Sequence, residues 1–418
     1  MKKFLVTTFI FSLLFLIGCN GGVDYGDFPE TIELIIEQAE AEIERGRIAG
    51  MTVAFVDLDT GFTWTQGFGY ADAAEGISVT DETMFNIGAI SQSVTAVAVM
   101  QLVEQELIDL DEPIVTYLPE FSILSNPTRG GNYQNITTRM LLNHTSGVGR
   151  TPSWLFETIN IMELPLVLNV SDFVHHINHL EFYYEDIILS HSLNQQNPAY
   201  MNNLLSALSE YYMAHEEGTS FSPSVAVNPA GYTILGILLA TVTNQANYFY
   251  GFADYMNENI FTPAQMSQST FIMTEEFLPF VALPVGVEEV IVGNTLSDSM
   301  FTTAEDMAKF MHLILDSGGV LLGDAYFGQM FDVSEARNIL NFGENVVERV
   351  FGFEFIGSDT VGHSFAFSGL SLHSSAMYLN LDEGMGVFIS INNESEGGLS
   401  LLPSTILRNA IEERQGNE

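Results

Sequence analysis

Strand-like sequence is concentrated at the two ends of this chain, and that placement constrains the fold more than any other feature. Residues 50–57 (GMTVAFVD) and 62–68 (FTWTQGF) read as strands around an Asp59-Thr60-Gly61 turn. Strand patterns return at 351–356 (FGFEFI), 374–380 (SSAMYLN) and 386–392 (GVFISIN), whereas helical patterns dominate from about 90 to 340. One sheet assembled from both termini, with a helical subdomain between them, is the layout that buries both sets. Residues 29–45 add an amphipathic helix with Ile32, Ile35, Ile36, Ala39 and Ile43 on one face and Gly46 near its end. A closing helix is expected over 400–414, with Pro403 in its first turn, where proline is tolerated. The fold class is therefore α+β: an antiparallel sheet built from both chain ends, flanked by helices. Its expected division is a sheet subdomain over about 29–88 and 340–418, and a helical one over about 89–339.

Residues 1–18 read as a secretion signal. Lys2 and Lys3 supply the positive start, and Phe4 to Ile17 an apolar stretch too short and wrongly flanked for a stable span. It ends at Cys19, the only cysteine, so no intrachain disulfide can form. Leu16 to Cys19 (LIGC) resembles the bacterial lipobox, which implies cleavage before Cys19 and lipid on its thiol. Stable anchoring takes more than one acyl chain. Residues 19–28 would then be a tether. The expected location is a bacterial membrane surface, facing the periplasm or the cell exterior.

Charge excludes one class of partner. Twelve Lys and Arg against 53 Asp and Glu give a net −41, and losing the signal removes two of those cations. Such a chain repels phosphate backbones, so nucleic acid is not an expected partner. Adaptation to high salt, where screening relieves the self-repulsion, and a simply acidic secreted protein both account for the excess.

Several segments, in order, resemble the serine β-lactamase and penicillin-binding-protein family, particularly its class C and esterase-type members. They are Gly67 to Asp72 (GFGYAD), similar to a GxGxxD turn, Leu107 to Pro113 (LIDLDEP) with Tyr117 to Pro119 (YLP), Ile136 to Gly147 (ITTRMLLNHTSG), and Thr302 to Phe310 (TTAEDMAKF). The resemblance covers roughly residues 30–412 and implies the β-lactamase/transpeptidase-like fold.

It breaks where the family's chemistry resides. The family needs Ser-x-x-Lys on a helix, a spacing that puts both side chains on one face about 5–6 Å apart. The serine attacks an acyl carbon and the lysine manages its proton. Phe85, Gly88, Thr95 and Ala96 set the register of the matching segment (FNIGAISQSVTA), which places Ala89 at the nucleophile and Gln92 at the lysine. Neither a methyl group nor a carboxamide can do that work. Ser91 lies roughly 200° around a helix from Ala89, and Ser93 lies one turn along. Beyond the signal the only lysine is Lys309, in the TTAEDMAKF segment, so neither Ser-x-x-Lys nor Lys-Thr-Gly can be written anywhere.

The family's Tyr-x-Asn motif is also damaged. Residues 217–221 (EGTSF) and 231–236 (GYTILG) resemble its flanks, but 213–231 contain no tyrosine; Ala226 falls at the Tyr position and Asn228 at the Asn. For the third motif, Lys/His-x-Gly, two registers stand open. His363 to Phe365 keeps the base and loses the glycine, whereas Phe367 to Gly369 keeps the glycine and loses the base; the second fits the following strand somewhat better. In another serine hydrolase, loss of the nucleophile lowers kcat about a millionfold, roughly 8 kcal/mol of barrier.

His175, His176 and His179, near Asp172 and Glu181, form the densest potential ligand cluster. Without the HExxH form they read as surface histidines, so no metal and no cofactor are expected. His144, in the HTSG loop, is expected to be structural. The aromatic runs 182–184 and 211–212 are expected to pack internally. The leading expectation is a non-catalytic surface lipoprotein that binds a cell-wall or acyl ligand, or a protein partner, through Gln92, Asn228, Ser368 and Gly369. The alternatives are an active hydrolase with a relocated nucleophile, and a structural lipoprotein with a filled cleft.

Overall fold

The computed structural model describes residues 25–46, 48–126, 130–148, 205, 209, 213, 216–219, 229–245, 247–283, 299–332, 338–342, 345–356, 360–365, 373–392 and 402–417. Helix α1 (Pro29–Glu44) leads into β1 (Gly50–Asp57), β2 (Phe62–Asp72), β3 (Ile77–Ser78) and β4 (Phe85–Asn86). Then come α2 (Ser91–Glu104), α3 (Thr138–Leu142), α4 (Pro229–Val242), α5 (Tyr248–Met256), β5 (Phe301–Thr302), α6 (Ala304–Leu315) and α7 (Asp324–Met330). The chain closes with β6 (Asn338–Phe342), β7 (Asn345–Val350), β8 (Phe353–Phe355), β9 (Thr360–Phe365), β10 (Ser374–Asn380), β11 (Met385–Ile391) and α8 (Leu402–Asn417).

Among the described residues, nine strands form one sheet in the order β3-β2-β1-β11-β10-β9-β8-β7-β6, and β4 pairs with β5 in a separate ribbon. Both chain ends meet at the β1–β11 pair, which runs antiparallel from Met51 opposite Ile391 to Asp57 opposite Met385. The sheet is therefore assembled from the two termini, as the strand placement required. Every residue of β1 is buried, because the sheet is covered on both faces. Side chains alternate between those faces. Val53 and Phe55 pack with Ile32, Ile35 and Ala39 of α1 and Ile406 and Ala410 of α8. Ala54 and Val56 join the larger core with Val94 and Val97 of α2 and Met307 and Phe310 of α6.

Polar contacts fix the terminal helices to that sheet. The Glu413 carboxylate of α8 accepts the Glu30 and Thr31 amides at 2.8 and 2.9 Å, capping the exposed start of α1. Arg414 pairs with buried Asp57 and, at 3.1 Å, with Asp59. At the end of β11, the Asn392 side chain accepts the Gly50 amide at 2.7 Å and faces the carbonyls of Tyr70, Ala71 and Leu283.

Two expectations need correction. Residues 67–72 are not a turn: they continue β2 to Asp72. Gly67 and Gly69 serve close strand approach instead. A Cβ on Gly67 would stand 2.6 Å from Val79, and one on Gly69, whose φ is +68°, would stand 2.2 Å from the Ala49 carbonyl oxygen. Strands also return before residue 351, where the pattern first placed them, since β6 begins at Asn338 and β7 follows at Asn345. Among the described residues, no helix is long and apolar enough to cross a membrane.

Candidate functional site

The site is built at the start of α2, a helix whose residues 91–102 are all buried. A helix enclosed on every side makes a rigid platform for whatever its first turn displays. A single 3-10 turn, Gly88–Ile90, precedes it and carries Ala89. Gly88 takes φ +53°, a backbone conformation natural to glycine. Its amide donates to the Asn86 side chain at 2.9 Å. Strands β9 and β10 both pack against this turn.

Asn86 is held in turn by His373, immediately before β10. The Asn86 amide donates to His373 Nδ1 at 3.2 Å, and His373 Nε2 donates to the Ala282 carbonyl at 3.0 Å. That pattern requires the neutral ring with its proton on Nε2. The ring lies 5.6 Å from Phe85 and 6.5 Å from Phe301, centroid to centroid. Burial pushes its pKa down to about 4, opposed by the bond to Ala282. No sequence signal singled out His373.

Ala89 and Gln92 are three residues apart on one face, where the 3-10 turn enters α2. Ala89 retains 5% exposure and Gln92 none. Gln92 Nε2 and Oε1 are both buried, and neither has a hydrogen-bond partner among the described residues. The neighbouring hydroxyls are engaged. Ser91 Oγ donates to the Gly88 carbonyl at 2.6 Å and also meets the Met300 amide at 3.3 Å. Ser93 Oγ donates to the Gly352 carbonyl at 2.6 Å. Thr95 Oγ1 returns to the Ser91 carbonyl at 2.9 Å. Each of these bonds ties a hydroxyl to backbone, within the helix or across to the Gly352 and Met300 segments, and none points a base at a hydroxyl.

Lys309 stands in α6, with Nζ 3.0 Å from both Glu305 and Asp306 and 2.9 Å from the Gln265 carbonyl. Those carboxylates raise its pKa against the effect of burial, so it is a charged structural lysine. His144 has φ +60° and lies 5.1 Å from the Tyr232 ring. The Tyr232 hydroxyl donates to the Leu142 carbonyl at 2.7 Å, and complete burial drives its pKa upward. The HTSG loop thus packs structurally onto α4.

Of the remaining expected positions, His363 is placed by its backbone on β9, opposite Met377 of β10. Ala226, Asn228, Phe367, Ser368 and Gly369 lie outside the described residues, as do Cys19, the 175–179 histidines and the aromatic runs 182–184 and 211–212. Among the described residues, no group of three or more His, Cys, Asp or Glu could hold a metal ion.

The architecture resembles the octameric penicillin-binding protein homologue from Pyrococcus abyssi, with a TM-score of 0.65 at 20% identity, covering 93% of this chain and 77% of that one. The mitochondrial serine beta-lactamase-like protein LACTB of Homo sapiens is 38% identical over 96 residues, 23% of this chain and 17% of that protein. Protein flp of Staphylococcus aureus (strain NCTC 8325 / PS 47) is 22% identical over 384 residues, 88% of this chain and 64% of flp. The chain thus spans less than two thirds of the length of these curated relatives. The Beta-lactamase family model matches residues 35–402, most of the chain. With its sheet built from both termini and that match over most of its length, this β-lactamase-related, serine hydrolase-like chain belongs to the Beta-lactamase family.

Proposed function

We propose that this chain is a non-catalytic member of its family, held at a bacterial membrane surface by lipid on Cys19. Its former acyl cleft serves to bind a cell-wall or acyl ligand, or a protein partner. One observation supports the reading: Ala89, which the sequence register aligns with the family nucleophile, offers only a methyl group, and the hydroxyls on either side of Gln92 are already bonded to backbone carbonyls. A relocated nucleophile at Ser91 or Ser93 would have to abandon those bonds and shift position along the helix. Gln92 cannot replace the lysine, because a carboxamide does not exchange a proton near neutral pH.

Saturable binding of soluble muropeptides, measured by titration calorimetry alongside turnover of a chromogenic ester and a chromogenic β-lactam, tests the reading. Binding without turnover is the expected result. Turnover abolished by substituting a single cleft side chain would overturn it. Palmitate labelling in a bacterial host tests the anchor: wild-type chain incorporates label, and Cys19→Ala does not.

A further inference from the structure

We infer that Gln92 selects a primary carboxamide as the group held noncovalently beside Ala89. This rests on the non-catalytic reading above and names the chemistry that such a cleft would recognise. Gln92 is fully buried on the first turn of α2, with both its donor and its acceptor unpaired among the described residues. Buried polar atoms in folded proteins are overwhelmingly paired, so a carboxamide with neither end satisfied calls for a partner. A carboxylate would satisfy Nε2 but face Oε1 with a second acceptor, and an ammonium would do the reverse. A primary carboxamide presents one acceptor and one donor side by side, matching both atoms, whereas a trans peptide bond points them in opposite directions. The helix start adds a partial positive field that suits the amide oxygen. Ala89, on the same face, keeps 5% exposure beside it. The net charge of −41 further disfavours an anionic guest.

The test compares N-acetylglycinamide with N-acetylglycine, which differ only in the terminal amide and carboxylate. Binding to the purified full-length chain is followed by ligand-observed NMR at 0.15 M and about 1 M salt. The amide is expected to bind at least tenfold more tightly (~1.4 kcal/mol), and Gln92→Leu is expected to abolish that preference. Gln92→Leu leaves the net charge unchanged, so a preference that survives it comes from the overall field, and the inference fails. It fails equally if the carboxylate binds as well as the amide, or if neither binds. Gln92→Met serves as a second apolar variant should the leucine variant misfold. Intact mass after exposure to a fluorophosphonate is read on the same sample. An adduct defeats the non-catalytic reading, whereas an unmodified protein without amide preference defeats only this inference.

Discussion

Ser93 and Gly352 are joined by a 2.6 Å hydrogen bond in which the serine hydroxyl donates to the glycine carbonyl, across the buried contact between α2 and the β7–β8 connection. The hydroxyl nearest in kind to a substitute nucleophile is thereby a structural tie. Ser93→Ala should cost about 1–3 kcal/mol, because a buried carbonyl loses its donor. Urea unfolding measures the loss. Ester turnover, if any is detected in the wild type, should be unchanged; a proportional loss would mark Ser93 as the working group.

Gly352 holds φ +77°, and a Cβ there would meet Ala96 Cβ at 2.7 Å and the Gln92 carbonyl oxygen at 2.8 Å. Neither neighbour is the end of a flexible chain. Gly352→Ala should therefore destabilise by more than the ~1 kcal/mol typical of a backbone preference alone. A melting temperature within error of wild type would show that the hairpin can move away from α2.

In the absence of ligand, the Gln92 carboxamide is a burden on the fold. Gln92→Met fills similar space without orphaned polar atoms. We expect it to raise stability by about 1–3 kcal/mol, read as a higher urea midpoint with an unchanged slope. A lower midpoint would mean that the carboxamide is satisfied in solution.

His373 gives the molecule an acid limit. Its folded pKa of about 4 lies below the unfolded value near 6.5. Between those values the unfolded chain binds the proton and the folded chain does not, so stability falls as pH drops from about 6.5 to 4. The linked loss is on the order of 3 kcal/mol. Protonation would also turn Nδ1 into a donor facing the Asn86 amide, loosening the turn that carries Ala89. His373→Phe should flatten the pH dependence over that interval, at some cost in stability at neutral pH. Equal slopes for both proteins would contradict the assignment.

The legible parts of the fold were those with strict period or fixed spacing. Strands 50–57 and 374–380 coincide with β1 and β10 because their residues are buried on both faces and their ends carry turn chemistry. Phe85, Gly88, Thr95 and Ala96 set the register that brings Ala89 and Gln92 together, and both residues lie where the 3-10 turn enters α2. The extension of β2 through 67–72 was missed because glycines that mark a turn in isolation also permit strands to approach closely. For β6 and β7, the sequence did offer a signal: only Gly343 and Glu344 separate them, a two-residue hairpin spacing. The role of His373 depends on contacts with residues some 90 and 290 positions away, which no local pattern encodes.

The central claim is that this family scaffold persists while its acyl chemistry is gone. Intact-protein mass spectrometry after prolonged incubation with a fluorophosphonate and, separately, with benzylpenicillin tests it most directly. A single unmodified mass is expected in both cases. A stoichiometric adduct mapping to any side chain around Ala89 would contradict it.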